Sequence, residues 1–160
     1  MHRKVQLVIS GGIRSGADVA KALALGADAV SIGTAALVAL GDNDPALEEE
    51  YQKMDTTAGA YDDWHEGNDP AGITTQRPEL AQRLDPIRGG RRLANYLAVL
   101  TMELQTLARA NGKSNVLSLE PEDLVALTVE AAALARVPMA GTTWTPGHQN
   151  PQDPQRGVAG

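Results

Sequence analysis

The sequence predicts an α/β fold, and two observations carry that prediction. First, two short apolar runs, Val5 to Ser10 and Ala29 to Ile32, each stop at a glycine and each lead into a helical stripe. Second, hydrophobic residues make up 42% of the chain while aromatics are only 3% and phenylalanine is absent. Ala, Leu, Val and Ile must therefore fill the core, which favours helices and buried parallel strands over an all-β sandwich. At 160 residues the chain has the length of one domain with a real core.

The elements follow in order. Val5 to Ser10 reads as a buried strand bounded by Gly11-Gly12. Ser15 sits three residues before Asp18, the spacing of a capping box, and Val19, Ala20, Leu23 and Ala24 form a helical stripe that Gly26 stops. Ala29 to Ile32 reads as a second buried strand ending at Gly33, and Thr34 to Leu40 as a short apolar helix closed by Gly41. Strand, helix and strand make one βαβ unit with an expected right-handed crossover and parallel strands.

From Asp42 to about Arg88 the chain is acidic, then rich in Gly, Pro, Asp and Thr, the texture of a functional or packed loop. Leu93, Tyr96, Leu97, Leu100, Leu104, Leu107 and Ala108 recur at intervals of three and four. They predict a long amphipathic helix over about Arg91 to Ala110, terminated by Gly112. LEPED, Leu119 to Asp123, predicts the start of an alanine-rich helix reaching about Arg136, with Pro121 and the acids in its first turn. The Pro/Gly/Gln-rich end reads as an extended tail. The expected organisation is a βαβ phosphate-binding unit over 1–41, a loop-rich insertion over 42–90, helices over 91–140 and a flexible tail over 141–160. Two parallel strands cannot bury both faces and both edges of their own sheet. The chain is thus expected to be a piece of a larger α/β domain or to assemble with another chain.

Composition excludes several roles. A formal net charge of −6 disfavours nucleic acid and anionic membranes as general partners. No apolar run approaches the roughly 18 to 20 residues that span a bilayer. The basic, briefly apolar start MHRKVQLVIS is too short before its glycines for a signal peptide. Absence of cysteine removes disulfides, thiolate catalysis and cysteine-ligated iron–sulfur clusters. A cytoplasmic setting is the expectation.

In a parallel layout the C-terminal ends of both strands lie on one side. Ser10, Gly11 and Gly12 end the first, and Gly33 and Thr34 end the second. Glycines let backbone N–H groups approach a ligand closely, and a helix start favours an anion. Two such converging turns match the phosphate site after strands 7 and 8 of a TIM barrel. The spacing G-G-x-x-x-G is neither the dinucleotide fingerprint nor a P-loop. Arg14 is either a phosphate contact or a solvated loop cation.

The stretch LVISGGIRSGADVAKALALGADAVSIGTAALVALG resembles the phosphate-binding end of the FMN barrel of glutamate synthases. YDDWHEGNDPAGITTQRPELAQRLDP, GGRRLANYLAVLTMELQTLARANGKS and LEPEDLVALTVEAAALARVPMAGTTW resemble the same family, so the likeness covers about residues 5 to 147. It is nearest to the stand-alone FMN-binding branch, which includes the glutamate synthase large-subunit-like proteins and the FMN subunit of methylamine–glutamate N-methyltransferase. The resemblance implies the last part, about strands 7 and 8, of an FMN-binding TIM barrel followed by C-terminal helices. It implies FMN as cofactor, with Ser10, Gly11, Gly12 and Ile13 in the loop around its phosphate and Gly33 and Thr34 in the second phosphate turn. It implies an oxidoreductase passing electrons through FMN to a 2-iminoglutarate-type intermediate, with 2-oxoglutarate- or glutamate-class substrates. N-methylglutamate is the product in the methylamine branch. It implies as partners an N-terminal barrel segment or other subunits, such as a glutamine amidotransferase-like one. A truncated, non-catalytic module for phosphate binding or assembly is the alternative.

The chain also departs from the family. Many members carry a cysteine cluster, holding a 3Fe–4S centre, where this chain has Asp42 to Pro70 without cysteine. Relatives tend to read CGKSHVHNLEPEDL where this chain reads NGKSNVLSLEPEDL, differing at Asn111, Asn115 and Leu117 among others.

Other candidates are weaker. Asp62, Asp63, His65, Glu66 and Asp69 cluster in one loop, yet such loops mostly occur without metal. Tyr61 and Trp64 read as its anchors. Glu120, Glu122 and Asp123 are better read as a helix's first turn than as acid–base catalysts, and Glu48, Glu49 and Glu50 as a solvated face. His2 and His148 lie near the ends, and His65 lacks a triad pattern. Lys113 reads as a partner for the preceding helix's last carbonyls rather than for an anion. No residue is assigned a catalytic role, and no metal site is expected.

Overall fold

A computed structural model describes residues 5–56 and 67–147. Its elements are β1 (Val8–Ser10), α1 (Gly16–Ala24), β2 (Ala29–Ser31), α2 (Thr34–Leu40), α3 (Glu48–Lys53), α4 (Pro78–Ala81), α5 (Pro86–Ala110) and α6 (Val129–Ala135). Short 3-10 turns span Pro45–Leu47, Val116–Ser118 and Pro121–Asp123. The fold is mixed α/β, with one small sheet. No helix among the described residues is long and apolar enough to cross a membrane. The chain divides into two compact units, Met1–Ile9 with Ala17–Val30 and Leu104–Gly160, and Ser10–Gly16 with Ser31–Glu103.

In the first unit, β1 and β2 are hydrogen-bonded neighbours joined through α1. Asp28 sets their register from both sides of one residue. Its N–H donates to the Leu7 carbonyl at 2.9 Å, and its carboxylate accepts from the Leu7 N–H at 2.7 Å. The apolar stripe of α1 is buried as its spacing predicts, with Val19, Ala20, Leu23 and Ala24 all at 9% exposure or less. Gly26 ends the helix at φ 102°. The Ala27 N–H reaches back to Ala22 and the Gly26 N–H to Leu23, the paired bonds of a Schellman stop. The last turn of α5 ends the same way at Gly112, φ 72°, with the Lys113 N–H on Ala108 and the Gly112 N–H on Arg109.

The strands do not match the expectation of burial. Leu7 is 50% exposed and Val8 59%. Each strand has one hydrogen-bonded neighbour and three residues, so its apolar side chains have no second layer or flanking strand among the described residues.

The helix expected to open at LEPED is also corrected. Pro121–Asp123 makes a single 3-10 turn, and Leu124 then extends at φ −113°, ψ 148°. Ala126 pairs with Met139 in an isolated parallel bridge. With Leu124 extended and Ala126 held in the bridge, the α-helix begins only at Val129. Thr128 caps it, its side chain accepting from the Ala131 N–H at 3.1 Å. Ala126, Ala132 and Val137 form the small core beneath, with Leu124, Ala135 and Met139 against it.

In the second unit, α5 starts at Pro86, five residues before the expected position. Asp85 caps it, accepting from the Ile87 and Arg88 N–H groups at 2.9 and 3.0 Å, and Pro86 occupies the first helical position. Glycine weakens a helix interior by about 1 kcal/mol, yet Gly89 has a reason to be there. A Cβ at that point would lie 3.2 Å from the Leu40 carbonyl oxygen, so glycine permits close approach to the end of α2.

Two buried carboxylates organise the rest of this unit. Tyr51 donates its hydroxyl to Asp42 at 2.6 Å and accepts from the Asn43 N–H at 3.0 Å. Asp69 accepts from the N–H groups of Ala71, Ile73 and Thr74 at 2.9, 2.6 and 2.7 Å. Gly72, inside that loop at φ 77°, leaves no room for a Cβ, which would fall 2.3 Å from the Leu80 carbonyl oxygen.

Candidate functional site

The seven residues singled out from the sequence, Ser10 to Arg14 with Gly33 and Thr34, line one cavity of about 1140 Å³ within the second unit. Two turns build it. The first leaves β1 through Gly11 at φ 98° and Gly12 at φ 71°, conformations that side-chain-bearing residues rarely adopt. Among the described residues, no atom beyond the adjoining residues lies within 4 Å of where their Cβ atoms would stand, so the backbone there is bare. The second turn enters α2, whose first bonds run from Ala36 and Leu37 N–H to the Gly33 carbonyl at 2.9 and 3.2 Å. Ile13, Ile32, Val38 and Ala39 give the cavity its apolar walls.

A third wall was not foreseen. Arg92, Asn95 and Tyr96 of α5 also line the cavity. Arg92 stands 3.7 Å from Asp44. The Tyr96 hydroxyl donates to the Arg14 carbonyl at 2.9 Å, and Glu103 accepts from the Gly16 N–H at 2.7 Å. A signal for this wall existed. Arg92 and Glu103 lie four residues before and seven after Tyr96, a member of the apolar stripe, which puts the three on one helical face.

Among the described residues the lining carries two arginines, Arg14 and Arg92, and no carboxylate, although the chain's formal charge is −6. Bare turn backbone, positive charge and apolar walls suit a ligand with an anionic end and an apolar body. The residues present therefore fit a phosphate-bearing cofactor. Among the described residues the lining holds no histidine, lysine or carboxylate.

Asp62, Asp63, His65 and Glu66, with Tyr61, Trp64, His2 and His148, lie outside the described residues. The carboxylate of Asp69 is engaged by its own loop. Glu120 and Asp123 do not open a long helix; they face Lys113, whose ammonium lies 2.5 Å from Glu120 and 3.5 Å from Asp123. Hydrogen bonding to Glu120 raises the Lys113 pKa above its ordinary value. Lys113 thus meets side-chain carboxylates rather than the helix's last carbonyls. The departures from the family pattern have local roles too. Asn111 donates its side chain to the Leu107 carbonyl at 3.0 Å, and Asn115 caps the Val116–Ser118 turn, accepting from the Leu117 N–H at 3.0 Å. Glu48 and Glu49 are exposed as expected, whereas Glu50 pairs with Arg83 at 2.5 Å.

The conserved region of glutamate synthases matches this chain over residues 1–45 and 59–114. The chain belongs to the glutamate synthase family. It is 78% identical over 147 residues to the glutamate synthase large subunit-like protein of Rhizobium meliloti (strain 1021), covering 92% of this chain and 33% of that protein. It is 44% identical over 119 residues to the archaeal glutamate synthase [NADPH] of Methanocaldococcus jannaschii, covering 74% of this chain and 20% of that one. To the chloroplastic ferredoxin-dependent glutamate synthase of Oryza sativa subsp. japonica it is 32% identical over 110 residues, covering 68% of this chain and 6% of that one. The chain thus spans about a third of the Rhizobium relative's length and about a fifth of the archaeal one's. No solved structure matches it. The cavity and both glycine turns fall in the matched region.

Proposed function

We propose that this chain forms the end of an FMN-binding barrel, about its last two strands, in a glutamate synthase-type oxidoreductase acting in the cytoplasm. The phosphate of FMN sits in the cavity between the two glycine turns. One observation carries the reading: the turns expected to hold phosphate line a single cavity in which Arg14 and Arg92 are the charged lining residues among those described. The N–H groups of the Gly11-Gly12 turn bind the phosphate, and the two guanidinium groups neutralise it. The apolar walls formed by Ile13, Ile32 and Val38 exclude water beside it. When bound, FMN supplies electron transfer toward an imine of the 2-iminoglutarate type, the route to glutamate that the family implies. The rest of the barrel, and a glutamine amidotransferase-like ammonia source, come from outside these residues. The exposed apolar side chains of Leu7 and Val8 support that division, because such residues in a strand ordinarily lie covered.

Co-expression with a segment equivalent to the remaining length of the Rhizobium relative tests the proposal. The purified complex is expected to hold flavin, seen in its visible absorbance, and Gly12→Val is expected to lose it. A colourless complex that takes up no added FMN would leave the chain a non-catalytic module and overturn the reading.

A further inference from the structure

We propose that α5 holds the phosphate-binding turn in its open shape, with Tyr96 and Glu103 as positioning residues. The inference rests on the reading of the cavity as a phosphate site. The Gly11-Gly12 turn has no side chains to brace it, and nothing packs where their Cβ atoms would be. Two glycines in succession carry a large conformational freedom that binding would have to remove. The structure restrains the C-terminal end of the turn instead, at two points. The Tyr96 hydroxyl holds the Arg14 carbonyl, and the Glu103 carboxylate holds the Gly16 N–H.

Each bond also has an electrostatic consequence. Tyr96 draws the Arg14 carbonyl toward α5, a preference that keeps this acceptor from competing with an anion for the turn's donors. Glu103 supplies the acceptor at the first residue of α1, so the positive end of that helix is matched by a carboxylate at Gly16. The anion is thereby directed to Ser10–Arg14 and Gly33–Thr34 rather than to the start of α1.

The test uses the full chain carrying Tyr96→Phe, Glu103→Ala or Glu103→Gln. Tyr96→Phe removes the hydroxyl and keeps the ring in the cavity wall. Amide hydrogen exchange on the ligand-free protein is expected to rise up to about tenfold over Gly11–Gly16, the weight of one hydrogen bond. The amides of Ile73 and Thr74 in the Asp69 loop should not change. Glu103→Ala should act likewise, and Glu103→Gln, which keeps an acceptor oxygen, should restore protection. Uniform exchange rates across all variants would overturn the inference.

The second measurement is the ratio of affinities for FMN and riboflavin in the co-expressed complex. Positioning of a phosphate loop predicts that Tyr96→Phe weakens FMN several-fold and leaves riboflavin, which lacks the phosphate, unchanged. Equal weakening of both would make the contact merely structural and overturn the inference. A wild type that binds both alike would instead overturn the phosphate reading, while hydrogen exchange would still report whether α5 restrains the turn.

Discussion

Two glycine loops in the same unit use positive φ for opposite ends. At Gly72, φ 77°, the space a side chain would take is filled by the Leu80 carbonyl, and the carboxylate of Asp69 gathers the surrounding N–H groups. At Gly11 and Gly12, φ 98° and 71°, that space is empty, and the cavity opens beside it. The first loop satisfies its own donors and becomes a solid corner. The second leaves its backbone exposed, and its restraint comes from α5 instead. Glycine alone therefore does not mark a binding turn; what surrounds its missing Cβ separates a packed corner from a site.

Substitutions separate the two cases. Gly72→Ala is expected to cost about 3 kcal/mol or more, because its neighbour is backbone and cannot swing away. A urea midpoint measures it, and a shift under about 1 kcal/mol would mean that the corner is softer than described. Asp69→Ala is expected to cost about 2–3 kcal/mol by stranding the Ala71, Ile73 and Thr74 N–H groups. Gly12→Ala inverts the pattern. Its stability cost is about 1 kcal/mol from backbone strain alone, while FMN retention falls much further. Equal losses of stability and binding at Gly12 would erase the distinction between the loops.

The smallest effect concerns Tyr51. Burial first, and then its hydrogen bond to Asp42, raise its pKa above the ordinary tyrosine value. The fold thus favours the neutral phenol. The associated stability is complete below a tyrosine's ordinary pKa of about 10 and is lost as pH rises beyond it. Tyr51→Phe should cost about 0.5–1 kcal/mol at neutral pH and flatten the alkaline fall in thermal midpoint.

The sequence spoke clearly where the signal was local. The glycine stops, the buried stripe of α1 and the extent of α2 all follow from spacing within a few residues. The start of α5 was hidden because the Gly89-Gly90 pair weakens the helical pattern, and the close approach of Leu40 that justifies Gly89 comes from a distant part of the chain. LEPED carried a genuine N-terminal signature, yet the Ala126–Met139 bridge overrode it after one turn. The apolar content of β1 was legible, but burial depends on what lies beside a strand, and its own residues do not supply that. The α5 wall was hardest to see, since its two holds on the turn join residues 82 and 87 apart.

Those separations have a consequence for synthesis. Glu103 follows Gly16 by 87 residues, so the glycine turn leaves the ribosome well before the residue that restrains it. At elongation rates of roughly 5–20 residues per second, that is about 4–17 s during which the glycine pair has been made and its restraint has not. A flavin meeting the nascent chain in that interval encounters an unbraced loop. Cofactor capture is therefore expected only after α5 has emerged.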